Sequence, residues 1–325
     1  MWKYILKRIL LMIPTFIGIT VISFIIMHLA PGNPVDLMEQ KGGQVTAKKE
    51  QISYESIREF RRKYHLDKPL YYQYWIWVKK AIIFDFGDSL IQRGRTVNEL
   101  LWEKMGVTVV LSGISILIIY IIAIPIGVIS SVSENTLLDK TITILLFMLY
   151  SLPSFFVAIW LINLFASKEM LDWFPTQGFS LSYSFGKFFY HLALPIFCMT
   201  FAGYAYLSRQ MRGSMLEVLR QDYIRTARAK GLSEKAVVIK HAMKNSMIPI
   251  ITIASTIFPA LIGGNVIIEI IFNIPGLGRL SFDAILSRDY NVVMAVFYLS
   301  SLLTLVGILI SDILYVVVNP KITFD

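Results

Sequence analysis

The chain reads as an all-α integral membrane protein, with six membrane-spanning helices and an extracytoplasmic cap between the first and the second. Three observations lead there. Uncharged apolar runs of about 20 residues, the length a helix needs to cross a hydrocarbon core, recur along the sequence. Hydrophobic residues make up 55% of the chain and charged residues only 16%, giving a mean hydropathy of +0.61. Lys and Arg are concentrated in segments that alternate sides in a consistent way.

The first span is expected from Ile9 to Leu29, within an N-terminal unit of residues 1–30. The preceding Met1-Trp-Lys-Tyr-Ile-Leu-Lys-Arg8 looks like a secretory leader. Its apolar run is longer than a leader core, however, and it continues into Pro31-Gly-Asn-Pro34 without a small-residue cleavage pattern, so the helix is expected to be retained. Residues 31–104 form the expected cap. There, Ser53 is placed to start a helix through Glu55, Ile57, Phe60 and Tyr64 that ends near Asp67-Lys-Pro69, while Lys41-Gly-Gly-Gln44 reads as flexible. Leu70 to Phe86 puts Tyr71, Tyr74, Trp75 and Val78 at helical spacing, which predicts a helix lying at the membrane surface.

Residues 105–318 form the core, with spans expected at Met105–Ser131, Thr141–Ala166, Phe188–Ser208, Asn245–Ile268 and Asn291–Val318; a tail of residues 319–325 follows. Pro125, Pro153, Pro195, Pro249 and Pro259 lie in these spans. Each removes a backbone donor, which a membrane tolerates only where neighbouring helices or a water-filled cavity satisfy the freed carbonyls. Five together fit a bundle that lines a path.

Orientation follows from the basic residues near the spans. With the N-terminus inside, the inner segments hold 14 Lys/Arg, nine of them between Arg209 and Lys244, and the two short outer loops hold four. The cap carries 13 Lys/Arg with 10 acidic residues, and long loops cross largely regardless of charge. Six spans then put both termini in the cytoplasm. A net charge of +9 accordingly needs no nucleic-acid partner and favours an anionic inner leaflet of the lipid bilayer. Cys198 is the single cysteine, which excludes an intramolecular disulfide, and the histidines at 28, 65, 191 and 241 have no metal-site pairing. Glu269 and Asp312 lie near span ends, where an ionisable side chain is a functional candidate; with Glu269 towards the outer side and Asp312 towards the inner, solvated interface roles are an equal alternative. No nucleophile and base come together in the pattern, so no catalysis is assigned.

The stretch from Asp222 to Lys235 is the most informative. Asp222 starts a helix whose one face carries Ile224, Ala227 and Gly231, with Arg225, Arg228 and Lys230 elsewhere. Ala227 and Gly231 are four apart and small enough for close approach by another backbone. Gly231 ends this helix, and Ser233 with Glu234 starts the next.

The run Tyr223-Ile-Arg-Thr-Ala-Arg-Ala-Lys-Gly231, with Ile248-Pro249 beyond it, resembles the coupling motif of type I ABC importer permeases, Glu-Ala-Ala, three residues, Gly. Arg225 and Thr226 replace the Glu and first Ala, while Ala227 and Gly231 match. The motif's Leu-Pro is replaced by Met243-Lys244, with the proline later at Pro249, departures like those of the dipeptide and oligopeptide branch, B-type subunit. Ile274-Pro-Gly-Leu-Gly-Arg-Leu-Ser-Phe-Asp-Ala-Ile-Leu-Ser-Arg-Asp-Tyr290 is similar to that branch's external loop, with Pro275, Gly276, Gly278 and Arg279 as its marked positions. Ile13-Pro14, Leu29-Ala-Pro-Gly-Asn-Pro34 and Leu66-Asp-Lys-Pro-Leu70 through Phe86-Gly-Asp-Ser-Leu90 extend the resemblance over essentially the whole chain.

This resemblance implies the type I ABC importer fold in a bacterial or archaeal cell membrane. It implies half of a peptide path shared with a homologous second permease subunit, two cytoplasmic ATPase subunits and an extracytoplasmic substrate-binding protein; nickel complexes and oligosaccharides are alternative solutes in the family. It also implies ATPase coupling through Tyr223, Arg225, Thr226, Ala227, Arg228 and Gly231. No Gly-x-x-x-x-Gly-Lys-Ser/Thr occurs in the chain, so ATP and Mg are expected on the partner subunits. Gly276-Leu-Gly278 lacks the following Lys-Ser/Thr of a phosphate cradle and reads as a tight turn. An ion-coupled secondary transporter is the rival class, but such proteins place ionisable groups or broken helices at the midplane. The central parts of the assigned spans carry no Asp, Glu, Lys or Arg.

Overall fold

The computed structural model describes residues 2–29, 58–59, 61–92, 94–179, 181, 183–254, 257, 261 and 264–318. In chain order its helices are α1 (Trp2–Leu29), α2 (Leu70–Ile82), α3 (Val97–Val132), α4 (Leu137–Ser151), α5 (Ser154–Leu161), α6 (Phe185–Leu219), α7 (Asp222–Ala229), α8 (Glu234–Ala236), α9 (Met243–Ala254), α10 (Val266–Ile271), α11 (Leu277–Ser287) and α12 (Tyr290–Val318). Extended pairing among the described residues is confined to an isolated bridge between Asp88 and Thr96. The all-helical class expected from the sequence holds.

The spans differ in detail from the six expected. Among the described residues, α1, α3, α6 and α12 are each long and apolar enough to cross a membrane, and α4 with α5, bent by 94°, makes a fifth when the pair is taken as one broken span. The break falls at Leu152-Pro153. Pro153 cannot donate to a helical ladder, and Leu152 before it is pushed to an extended conformation, φ −86° and ψ 126°. The expected single span Thr141–Ala166 therefore turns a corner and ends in a π-helical turn, Ile162–Ala166. Likewise the expected span Asn245–Ile268 is not one helix. The described part of α9 runs to Ala254, Gly264 takes a left-handed φ of +64° that no helix interior accepts, and α10 starts afresh with the Asn265 side chain accepting from the Ile268 amide at 3.3 Å. Pro259 and the start of the expected Ser53 helix lie outside the described residues; residues 58, 59 and 61–63 are helical and lead to a turn at 64–67.

α3 runs through the expected cap boundary at residue 104. Thr96 and Glu99 cap each other's backbone amides at its start, a capping box that begins the helix eight residues before the apolar run. α2 divides its aromatic residues between two faces. Tyr71 and Trp75 are exposed, whereas Trp77 and Ala81 join the buried cluster and Tyr74 shares a 2.9 Å hydrogen bond with Thr20 of α1. Trp77 and Phe84 also meet the ring of Tyr298 on α12 edge-on. Tyr74 and Trp77 thus pack against α1 and α12, while Tyr71 and Trp75 of the stripe remain exposed.

Three apolar clusters stack along the bundle. One joins α1, α2, the start of α3, α11 and α12; a second joins α3, α5, α6 and α10; a third joins α3, α6, α7 and α9. α3 and α6 form the most extensive helix pair, and small residues make it possible. A Cβ on Gly127 would fall 2.6 Å from the Met211 Cβ and 2.7 Å from the Ser208 carbonyl oxygen, and the Ser208 hydroxyl donates to the Ala123 carbonyl at 3.1 Å. Close backbone approach of this kind drives helix association where lipid offers no hydrophobic contrast.

Gly127→Leu should separate α3 from α6. An overpacking cost of about 1–3 kcal/mol is expected, read as a lower unfolding temperature of the purified protein in detergent; an unchanged transition would show that the pair is looser than these contacts imply.

Candidate functional site

On the side assigned to the cytoplasm, α6 passes into α7 through only Arg220 and Gln221, and the Gln221 amide closes the turn on the Val218 carbonyl at 3.0 Å. α7 is divided by face. Ile224 and Ala227 are buried among Met211, Met215, Val237, Val238 and Ala242, while Tyr223, Arg225, Thr226, Arg228, Lys230 and Gly231 are exposed. Full burial of Ile224 stabilises the docked position by roughly 2 kcal/mol. Ala227, expected to admit a neighbouring protein, instead faces this chain's own core. Its small size suits the packing of α7 on the π-helical segment Val237–Ala242.

The end of α7 follows the expected pattern. The Leu232 amide donates to the Ala227 carbonyl at 3.4 Å and the Gly231 amide to the Arg228 carbonyl at 2.9 Å, with Gly231 at φ +77°. These paired bonds define a Schellman cap, which needs a left-handed residue at that point. Ser233 then caps α8, accepting from the Ala236 amide at 3.4 Å. Arg228 bridges the turn with a forked pair to Glu234, 3.1 and 2.7 Å, and its guanidinium holds the Glu234 carboxyl below its ordinary pKa. Since that pKa is depressed, the pair's small contribution is present at neutral pH and lost only as the medium becomes acidic enough to protonate Glu234. Arg225 pairs with Asp222 at 3.3 Å, and the Thr226 hydroxyl donates to the Asp222 carbonyl at 3.0 Å. Tyr223 accepts from Asn245 of α9 at 2.7 Å, so its ring edge is exposed while its hydroxyl is tethered.

The external loop is built around Glu269. Expected at a solvated interface, this carboxylate is fully buried, because loop and helix wrap it with donors. Thr108 of α3 donates its hydroxyl at 3.1 Å and the Arg279 amide donates at 2.8 Å. The Thr108 oxygen in turn accepts from the Leu277 amide at 2.7 Å. Glu269 therefore caps the N-terminus of α11, where orphan amides and the helix dipole favour an anion. A Cβ on Gly276 would lie 2.5 Å from this carboxylate, and one on Gly278 2.9 Å. Gly276-Leu-Gly278 is therefore the N-cap and first turn of α11 rather than the tight turn expected, and its amides close on an internal carboxyl group. Arg279 itself turns outward to Asn273 and Asp283, and Pro275 shares with Gly276 and Arg279 an outer groove of about 330 Å³.

Two of the motifs noted separately in the sequence meet here. Asp289 accepts from the Ser89 hydroxyl and from the Leu90 and Val292 amides, 3.1 and 3.4 Å, joining Phe86-Gly-Asp-Ser-Leu90 to the end of the external loop. Asp312, the other expected interface acid, pairs with Arg8 of α1 at 3.1 Å. The sequence reading passed over Asp139, which is buried and forms a fork with Arg212 of α6 at 2.8 and 2.7 Å. Thr136 three residues before Asp139 marks a helix start, but nothing in a single sequence joins positions 73 apart.

Residues 123–324 match the family described as "Binding-protein-dependent transport system inner membrane component", more than half of the chain. The protein belongs to that family. This permease is 40% identical to the oligopeptide transport system permease protein AppB of Bacillus subtilis, across 100% of both chains. It is 35% identical to the glutathione transport system permease protein GsiC of Shigella flexneri and 33% identical to the oligopeptide transport system permease protein OppB of Haemophilus influenzae, again across 100% of each. Among solved structures it is similar to the MetNI methionine ABC transporter in inward-facing conformations, with a TM-score of 0.51 over 68% of this permease and 96% of that chain at 16% identity. That likeness shows the type I importer fold.

Thr108→Val would leave the Leu277 amide and a Glu269 oxygen each short of a partner at a cost of about 1–3 kcal/mol per group. Faster tryptic cleavage at Arg279 and Arg288 is the expected outcome, and cleavage at the parental rate would show that the loop does not depend on this hydroxyl.

Proposed function

We propose that this chain is one of two homologous membrane subunits of an ATP-driven peptide importer in a bacterial or archaeal cell membrane, with both termini cytoplasmic. It forms half of the translocation path and performs no catalysis. Two cytoplasmic ATPases supply ATP and Mg chemistry, and an external binding protein delivers the solute. The peptide assignment is supported by relatives named for oligopeptide and glutathione transport that align from end to end.

One observation carries the coupling role: α7 has its inner face in the bundle core and its outer face exposed. A helix so placed cannot shift without moving Met211 and Met215 of α6 and Val237 beyond it. Tyr223, Arg225, Thr226 and Arg228 supply the aromatic and polar contacts of the outward face, and Gly231 forms its bare tip, with nothing within 4 Å of where a Cβ would stand. Ala227 acts from beneath by seating the helix. ATP-driven closure of the two ATPases draws the paired α7 segments together, and the bundle exchanges inward-facing for outward-facing states. A ligand shifts such an equilibrium only by its differential affinity for the two states, so ATP and the loaded binding protein must each favour the outward form. Outside, residues 63–104 and the Pro275–Arg279 turn are tied together through Asp289 and offer the binding protein one continuous surface.

Gly231→Trp should abolish uptake in membranes containing the full complex while leaving insertion intact, since the ring would hold an ATPase groove away. Gly231→Ala should lose less, bearing chiefly the left-handed strain of about 1–2 kcal/mol; normal uptake by the Trp variant would remove coupling from the tip. A Ser233→Cys reporter should resist impermeant thiol reagents in intact cells and react in inverted vesicles, with little background because Cys198 is buried. Labelling from outside would reverse the assigned topology.

A further inference from the structure

We propose that the turn between α3 and α4 is a brace for the coupling segment, in which Asp139 and Glu134 are positioning residues that carry the motion of α7 into the broken span α4–α5. The inference rests on the coupling role proposed for α7 and goes beyond it by naming a second route out of that helix.

The geometry is that of a two-point clamp. α6 has 35 residues, about 52 Å at 1.5 Å per residue, against a hydrocarbon core of ~30 Å, so its last turns extend beyond the span. At Arg212 the guanidinium grips Asp139 through both oxygens. At Arg220, eight residues or about 12 Å further along the axis, a second guanidinium reaches Glu134 at 2.7 Å. Glu134 lies in the short connection and Asp139 in the first turn of α4 directly after it, and the second grip lies at the α6–α7 junction itself.

Asp139 is saturated. Besides the Arg212 fork it accepts from the Ser130 hydroxyl at 2.5 Å and the Asn135 amide at 3.1 Å, and its side chain is 5% exposed against 29% for Arg212. A pair buried to this degree is a poor source of stability, since an apolar contact of the same volume serves as well. What the fork adds is direction, because two parallel hydrogen bonds fix a planar guanidinium against a planar carboxylate. Sliding or rotating α6 against the turn breaks the geometry, so the two move as one.

The turn leads directly into α4, which is capped by Thr136 through the Asp139 amide at 3.3 Å. Beyond the 94° corner, Val157, Ala158 and Leu161 of α5 pack in the same cluster as Ile268, Phe272 and Ile274. That segment holds Glu269 and the root of the external loop. Displacement of α7 is thereby conveyed through Arg212 and Arg220 to the α3–α4 turn, along the broken span, and to the structure on the opposite face.

The test uses the complete complex in proteoliposomes with its binding protein and an oligopeptide, reading ATP hydrolysed per peptide taken up. Asp139→Asn and Glu134→Arg should each raise this ratio by at least about fivefold, the lower end of typical coupling between sites, while the ATPases still co-purify. The exchanged pairs Asp139→Arg with Arg212→Asp and Glu134→Arg with Arg220→Glu should recover part of the loss, which a general folding defect would not. A ratio unchanged from the parental complex in both single variants overturns the brace; should Asp139→Asn fail to assemble, the exposed Glu134→Arg variant decides alone. Parental vesicles without ATP-dependent uptake would overturn the coupling role itself, and the brace with it.

Discussion

The close crossing of α3 and α6 is the constraint from which the rest of the molecule is built. Inside a bilayer, apolar side chains gain nothing by leaving lipid for one another, so two helices stay together only where their backbones approach closely and their polar groups find partners. Gly127 against Met211, and Ser208 bonded to the Ala123 carbonyl, provide both. Everything functional hangs from the ends of this pair. Thr108 lies near the outer end of α3 and holds Glu269; Asp139 follows its inner end and holds Arg212; α7 continues from the inner end of α6.

The two ends are stabilised by different physics. Outside, a carboxylate sits among a hydroxyl, backbone amides and glycines with no side-chain cation in its hydrogen-bond shell. Inside, guanidinium–carboxylate pairs predominate, from the buried Asp139–Arg212 fork to the exposed Glu134–Arg220 and Arg228–Glu234 contacts. Amide cradles are rigid and local. Long charged side chains reach across helices, and the exposed ones cost little to separate and re-form. Exposed ion pairs also occur at the outer end, Arg95 with Glu103 and Arg279 with Asp283, so the two ends differ in their buried anchor: an amide nest at one and a guanidinium fork at the other.

Much of this was legible in the sequence, for reasons that can be named. Apolar runs report burial in lipid, so α1, α3, α6 and α12 were evident, and Gly231 with Ser233 marked the end of one helix and the start of the next because caps have local chemistry. The breaks were less visible. Pro153 looked like one kink among five, and only the extended Leu152 before it shows that the chain turns a corner. Gly264 and Asn265 lie in an apolar stretch whose hydropathy hides a helix start. Glu269, Thr108 and the Asp139–Arg212 pair depend on contacts between distant positions, about which periodicity carries no information. Ala227 shows the same limit on a small scale: spacing put it on one face with Ile224 and Gly231 and suggested a neighbouring protein there, whereas Ile224 and Ala227 are buried in this chain and Gly231 stands exposed past the helix end.

The anchoring of Glu269 has a consequence for the environment in which the protein works. Mobile ions weaken attractions between solvated charges beyond about a Debye length, ~8 Å at physiological strength, but they do not enter a dehydrated nest of amides. The root of the loop before α11 is fastened by bonds of that second kind and stands apart from the salinity of the surrounding medium, whereas the exposed pairs beside it, Lys63 with Asp88, Arg95 with Glu103 and Arg279 with Asp283, weaken as salt rises.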